Sequence, residues 1–277
     1  MVSLRSRTLL FAAVAALASL AIPVRAQEPD WTVDQKKEFL RTADVIASKH
    51  TSKGVTSPWH LTLRSKDHSL THDASFQPID EHKTNMQFSS GQTELLFVDS
   101  YKYNIAAYEL ATLLGLADMM PVTVERKWQG KTGSIEWWLP TMPAMIDEAE
   151  RLKQNKEPPD PGAWNKQMWK KRVFAQLVYD TDPNLTNLPI GPDWKLYTRD
   201  YTRAFRLYNK LENPKNLTKC DRTLFDNLKK LDQDRLEQAA GKWLTKAEIK
   251  AVMQRRDLIV DYFQKLAGEK GEGEVFY

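Results

Sequence analysis

Residues 179–206 read Tyr179-Asp180-Thr181-Asp182-Pro183-Asn184-Leu185-Thr186-Asn187-Leu188-Pro189-Ile190-Gly191-Pro192-Asp193-Trp194-Lys195-Leu196-Tyr197-Thr198-Arg199-Asp200-Tyr201-Thr202-Arg203-Ala204-Phe205-Arg206. Asp182 and Asn187 share one loop, five positions apart, and Asp200 follows a short hairpin-like segment. Mg²⁺ and Mn²⁺ take oxygen ligands. An acid, an amide and a second acid in this order could hold such a cation together with a phosphate. Phosphoryl transfer is the first chemistry the pattern suggests.

Working outward, Trp164, Met168, Trp169, Val173, Phe174, Leu177 and Val178 recur at helical spacing and lead straight into the loop. Beyond it, Gly191-Pro192-Asp193 turns into a short predicted strand, Trp194 to Thr198. Helices are predicted from Leu217 to Leu231 and from Thr245, with Glu248 completing a capping box, to Gly268. Residues 269–277 read as a loose tail. Before the loop, Thr32 and Gln35 form another capping-box pattern that predicts a helix to Lys49. Gly54 to Pro58 reads as a turn, Trp59, Leu61 and Leu63 alternate as in a strand, and Ala74 to Ile79 looks like the returning strand. Tyr101 to Leu114 predicts a helix closed by Gly115. Val122 to Trp128 and Ser134 to Leu139 predict a hairpin around Gln129-Gly130-Lys131. Strands with one helix first, then a helical half, predict an α+β fold of two lobes. The expected division is 27–145 for the helix and strand-rich N-lobe, 146–268 for the helical C-lobe and 269–277 for a flexible tail. The charged, proline-rich connector Lys153–Pro161 is the candidate boundary region.

Residues 1–26 read as a signal peptide: Arg5 and Arg7 precede the apolar run Leu9–Ile22, and Val24-Arg25-Ala26 resembles a cleavage site. The run is too short for a membrane span of roughly 20 residues. The expectation is a periplasmic or secreted protein with no transmembrane segment after signal removal. Losing three arginines and no acid brings the formal charge of +4 close to balance. No basic stripe indicates a nucleic-acid partner. Cys220 is the single cysteine, so no intrachain disulfide is possible. All five histidines fall before residue 83, which disfavours a histidine-based triad in the second half. Asp180 and Asp182, one residue apart on a loop, are poorly placed for the opposed carboxylates of a glycosidase.

Asp182-Pro183-Asn184-Leu185-Thr186-Asn187 resembles the catalytic loop of the atypical kinases, among them phosphatidylinositol 3- and 4-kinases, secretory-pathway Golgi casein kinases and HipA-type kinases. More widely, roughly Phe39 to Phe263 resembles a group of exported bacterial proteins with a kinase-like core. The blocks that carry this are Asn104-Ile105-Ala106-Ala107-Tyr108-Glu109-Leu110, Leu113-Leu114-Gly115-Leu116, Val124-Glu125-Arg126 and Arg203-Ala204-Phe205-Arg206. The resemblance implies a two-lobed protein-kinase-like fold, ATP with Mg²⁺ or Mn²⁺, and a hydroxyl-bearing acceptor or protein partner. It implies Asp182 as the base, Asn187 and Asp200 as metal ligands, and a phosphate-covering turn that includes Ser57. The phosphate-gripping Lys and Glu of kinases align with Gln77 and Asn104, two neutral amides, with Lys83 and Lys102 nearby. Pro183 replaces Arg, Thr186 replaces Gly, Tyr201-Thr202 replaces a Phe-Gly-like step, and Arg199 puts a cation beside Asp200. The alternative that these departures raise is a pseudokinase, a fold kept for binding without turnover.

Overall fold

Local signals and tertiary pairing compete openly at the start of the chain. Gln35 N–H donates to Thr32 Oγ1 at 3.2 Å and Thr32 N–H to Gln35 Oε1 at 2.9 Å, the capping box that opens α1 (Val33–Thr42). The helix does not continue to Lys49. Ala43 turns extended and Asp44–His50 form β1, paired with β2 (Trp59–Arg64). Strand pairing overrides the helical period here, and Ile46, which a longer helix would bury, is 44% exposed.

The computed structural model describes residues 30–51, 58–88, 91 and 93–277. The expected turn Gly54–Ser57, with the candidate residue Ser57, lies outside the described residues. From Trp31 to Tyr277 the chain forms one unit. After β2 come β3 (Thr71–Gln77), β4 (Asp80–Gln87), β5 (Thr93–Ser100), α2 (Tyr101–Leu114), β6 (Thr123–Trp128) and β7 (Lys131–Trp137). Five strands make an antiparallel sheet in the order β1-β2-β3-β7-β6, while β4 and β5 form a hairpin of their own.

Strand side chains alternate between faces. Leu61, Leu63, Ala74, Phe76, Val124 and Ile135 bury one face of the sheet under Phe39 and Leu40 of α1. Gln77, Ser134, Glu136 and Thr123, on the alternate register positions, are also buried but polar. One face of the sheet is therefore core and the other a polar ceiling. Gly133 lets β3 and β7 close up there, since a Cβ on it would lie 2.5 Å from the Gln77 carbonyl oxygen.

The remainder is helical: α3 (Glu148–Lys153), α4 (Pro161–Val178), α5 (Arg222–Lys230), α6 (Gln233–Ala240), α7 (Lys246–Lys270) and α8 (Glu272–Val275). Helix α2 runs through its core, with Ala106, Ala107, Leu110 and Ala111 fully buried in a cluster shared with residues of α4, α5, α6 and α7. The expected strand Trp194–Thr198 is only a bridge between Ile190 and Leu196. The helix expected from Leu217 starts later, at the Asp221 cap of α5. The tail is packed rather than loose: Val275 is fully buried, and the Phe276 ring lies 4.6 Å from that of Phe225. Burying two apolar side chains offsets the entropy of ordering the segment.

Candidate active site

Helix α4 delivers the loop. Tyr179 ends it in the left-handed conformation, with φ 52°, and its N–H bonds back to the carbonyls of Ala175 and Gln176. The chain then runs beside residues 203–205. Phe205 N–H donates to Val178 O at 2.6 Å, and the Thr181 hydroxyl donates to Arg203 O at 2.8 Å. Arg255 of α7, fully buried, locks this junction from beneath by donating to the carbonyls of Leu177, Arg206 and Tyr208 at 2.6–2.8 Å. Burial pushes its guanidinium down to about 10, which still leaves it charged at neutral pH.

Asp182 N–H donates to the buried Asp180 carboxylate at 3.1 Å. The Asp182 side chain itself is 44% exposed, and its Oδ2 lies 3.5 Å from Arg203 Nη1. Asn184 caps the 3-10 turn Leu185–Asn187 through Thr186 N–H at 3.0 Å. Arg199 N–H donates to Asn187 O at 3.1 Å and so ties the loop to the segment carrying Asp200. The Asn187 side chain is half-buried and forms no hydrogen bond among the described residues. Asp200 takes φ 61°, a conformation that Asp tolerates better than most residues. Its Oδ1 accepts from the Thr202 hydroxyl at 3.0 Å.

Burial pushes Asp200 above the usual carboxylate range. The Thr202 hydroxyl and Arg199 oppose that shift, and Asp182 adds to it. Yet the residue keeps accessible surface. Asp200 thus lies at the surface with enough protein around it to disfavour its charge. Asp180 rises to about 6, first through burial, with Asp182 and Asp200 contributing. Glu136, on the polar ceiling, rises to about 7 through burial and through Asp200. Several carboxyls thus feel one another, with Arg199, Arg203 and Lys171 as the nearby cations. Among the described residues, no three His, Cys, Asp or Glu side chains are gathered closely enough to hold a metal on their own.

Gln77 and Asn104 both reach this ceiling. Gln77 is buried opposite Ser134. Asn104 donates to Ser134 Oγ at 3.3 Å and accepts from Tyr201 N–H at 2.7 Å. Its amide therefore bridges β7 to the residue after Asp200. Lys102 pairs with Asp80 at 2.8 Å and Lys83 with Glu81 at 2.7 Å, so both nearby lysines are engaged with carboxylates of the β4–β5 hairpin. Arg199 forms no ion pair among the described residues, although it moderates both Asp200 and Glu136. Burial pushes the Cys220 thiol up to about 12, with Asp221 adding to it, consistent with a packing role. Glu136 escaped the sequence analysis. Its signal was present, because Ser134 and Glu136 share a face of β7 that alternates with Ile135 and Trp137.

No family model matches the chain, and no curated protein matches it. Solved structures do. A structure of hydra Fam20 with sugar superposes with a TM-score of 0.65 at 14% identity, covering 91% of this chain and 93% of that one. The Golgi casein kinase with Mn/ADP bound gives 0.59 at 14% identity, covering 88% of this chain and 78% of that one. The Helicobacter pylori proinflammatory kinase CtkA gives 0.54 at 12% identity, covering 83% of this chain and 98% of that one. The protein has an atypical kinase-like fold, a strand-rich N-terminal sheet beside a helical C-terminal part.

Proposed function

We propose that the protein is a phosphotransferase that moves the terminal phosphate of ATP, with Mg²⁺ or Mn²⁺, to a hydroxyl-bearing acceptor. One observation supports the reading: the Arg199–Asn187 backbone bond ties the loop that carries Asp182 and Asn187 to the segment that carries Asp200, and Asp182 and Asp200 feel each other's charge. The donor set fits a hard divalent cation. Asn187 offers an amide oxygen with no hydrogen bond among the described residues, and Asp200 a carboxylate whose charge burial disfavours and a bound cation would favour. A bound cation supplies charge neutralisation at the phosphates. Asp182 takes the proton of the acceptor hydroxyl as that oxygen attacks phosphorus, and nucleoside diphosphate leaves. Asn104 acts here as a positioning residue that holds the backbone after Asp200. Gln77 faces the phosphate side of the ceiling, with Ser57 as a further phosphate contact. The Mn/ADP bound by the Golgi casein kinase supports the choice of ligands, and the sugar in the hydra structure makes a sugar hydroxyl one acceptor to test.

A second reading, nucleotide or partner binding without turnover, is favoured by one observation: the Asn104 amide is engaged on both sides by protein groups. We further infer export, with residues 1–26 as signal peptide, from the sequence pattern. No helix among the described residues is long and apolar enough to cross a membrane.

Calorimetric titration with ATP and Mn²⁺ tests both readings. The expected result is saturable binding that Asp200→Ala weakens by about a hundredfold or more. Binding indifferent to Asp200→Ala removes the metal assignment, and no binding of any nucleotide ends the kinase reading. Binding without transfer to protein or sugar hydroxyls selects the second.

A further inference from the structure

The β4–β5 hairpin places one side chain where the phosphotransferase reading has no use for it. Glu94 Oε2 lies 2.7 Å from Arg203 Nη2, and Glu94 Oε1 lies 2.6 Å from Arg206 Nη2. Arg203 also faces Asp182 at 3.5 Å. Both guanidinium groups are mounted on aromatic rings: Arg203 lies 4.9 Å from the Phe88 centroid and 5.5 Å from that of Phe97, and Arg206 5.9 Å from Phe97. Arg206 is only 6% exposed, and its further contact is a long one of 3.5 Å to Thr181 Oγ1.

Donors and acceptors do not balance. Two guanidinium groups carry about ten N–H donors, and a carboxylate has two oxygens to offer. The buried Nε of each arginine has no hydrogen-bond partner among the described residues. Glu94 Oε1, although close to Arg206, has no well-aligned hydrogen bond either, so the short contact is an ion pair with poor directionality. Glu94 offsets only one of the two positive charges and leaves part of their donors unsatisfied.

We infer that Arg203 and Arg206 form an oxyanion subsite beside Asp182 that takes a phosphate group carried by the acceptor, and that Glu94 fills it as an internal stand-in. A phosphate brings three acceptor oxygens and about two negative charges, a better match for paired guanidiniums than one carboxylate. Arg203 ties the subsite to Asp182, which faces the acceptor hydroxyl, so the inference rests on the reading of the preceding section. The hairpin then competes with the ligand, and apparent affinity scales with the fraction of molecules in which Glu94 is withdrawn.

Titration of the intact protein with inorganic phosphate, alone and in saturating ADP with Mn²⁺, tests this. Glu94→Gln is expected to bind phosphate about tenfold tighter or better than the unchanged protein. The gain is expected to vanish in Glu94→Gln/Arg203→Gln and to persist in ADP and Mn²⁺. If Glu94→Gln binds phosphate no better, or if its gain survives the loss of Arg203, the subsite is overturned. If ADP abolishes phosphate binding, the anion pocket belongs to the nucleotide and the acceptor assignment falls. Should Glu94→Gln fail to fold, Glu94→Asp, which withdraws the carboxylate by one methylene, replaces it under the same criteria. ADP binding measured alone reports on the kinase reading, and its failure leaves the phosphate arm readable.

Discussion

The ceiling and the floor of the cleft have opposite characters. The floor, Asp182 to Asp200, keeps charged groups on a backbone pinned from behind by Arg255. The ceiling, Gln77, Ser134 and Asn104, is neutral and hydrogen-bonded, with one buried acid, Glu136, among its members. Kinase sites grip the nucleotide from both sides with charge. On the proposed function, the electrostatic work would fall on the floor, while the ceiling would supply shape and fix distance.

Breaking the floor is expected to do most. Asp182→Asn should lower turnover by about 10²–10⁴-fold and leave nucleotide binding intact, because a positioned base acts only on proton transfer. Single-turnover kinetics beside calorimetry check the split, and equal losses in binding and turnover would return Asp182 to a structural role. Arg255→Ala should cost about 3 kcal/mol or more, since two buried carbonyls and a half-buried one lose their donor. Urea denaturation measures it.

The ceiling should respond to pH. Glu136 rises from 4.5 to about 7 in the fold. Its contribution is thus fully present below about pH 4.5 and lost as pH climbs through about 7. Asp180, raised from 3.8 to about 6, acts in the same direction. A shift of this size corresponds to roughly 3 kcal/mol for Glu136 at most. In chelator-containing buffer, Glu136→Gln should flatten the fall in unfolding free energy between about pH 4.5 and 7. An unchanged slope would place the titration elsewhere. Asn104→Ala should have the smallest effect, about 1–2 kcal/mol from the stranded Tyr201 N–H. If Asn104 only positions Asp200, nucleotide affinity should fall far less than in Asp200→Ala.

Much of the floor could be read from the chain because its information is local. A loop spacing, a helical stripe ending at Val178 and a capping box at Thr245 each need only a few neighbouring residues. Helix α2 likewise follows from its apolar run and from Gly115, which takes φ 74° at its end. What escaped is non-local. β1 carries Ile46 and Ala47 at helical spacing, and only pairing with β2 makes it a strand. β4 is almost entirely exposed, so no alternation marks it, and its hairpin was missed with Glu94 on it. The tail folds because Cys220 bridges Phe276 and Tyr277 reaches the Lys166 carbonyl, contacts invisible in a nine-residue window. Asn104 stood out as a lost charge; its bridging role needed Ser134 and Tyr201, 30 and 97 positions away.

One side chain spans the gap between ceiling and floor: the Asn104 amide reaches Ser134 on one side and the backbone beside Asp200 on the other. A strut of that length sets how far β7 stands from the backbone after Asp200. An inhibitor that wedges Asn104 away from Tyr201 would act on the mechanics of the cleft without touching any acid on its floor.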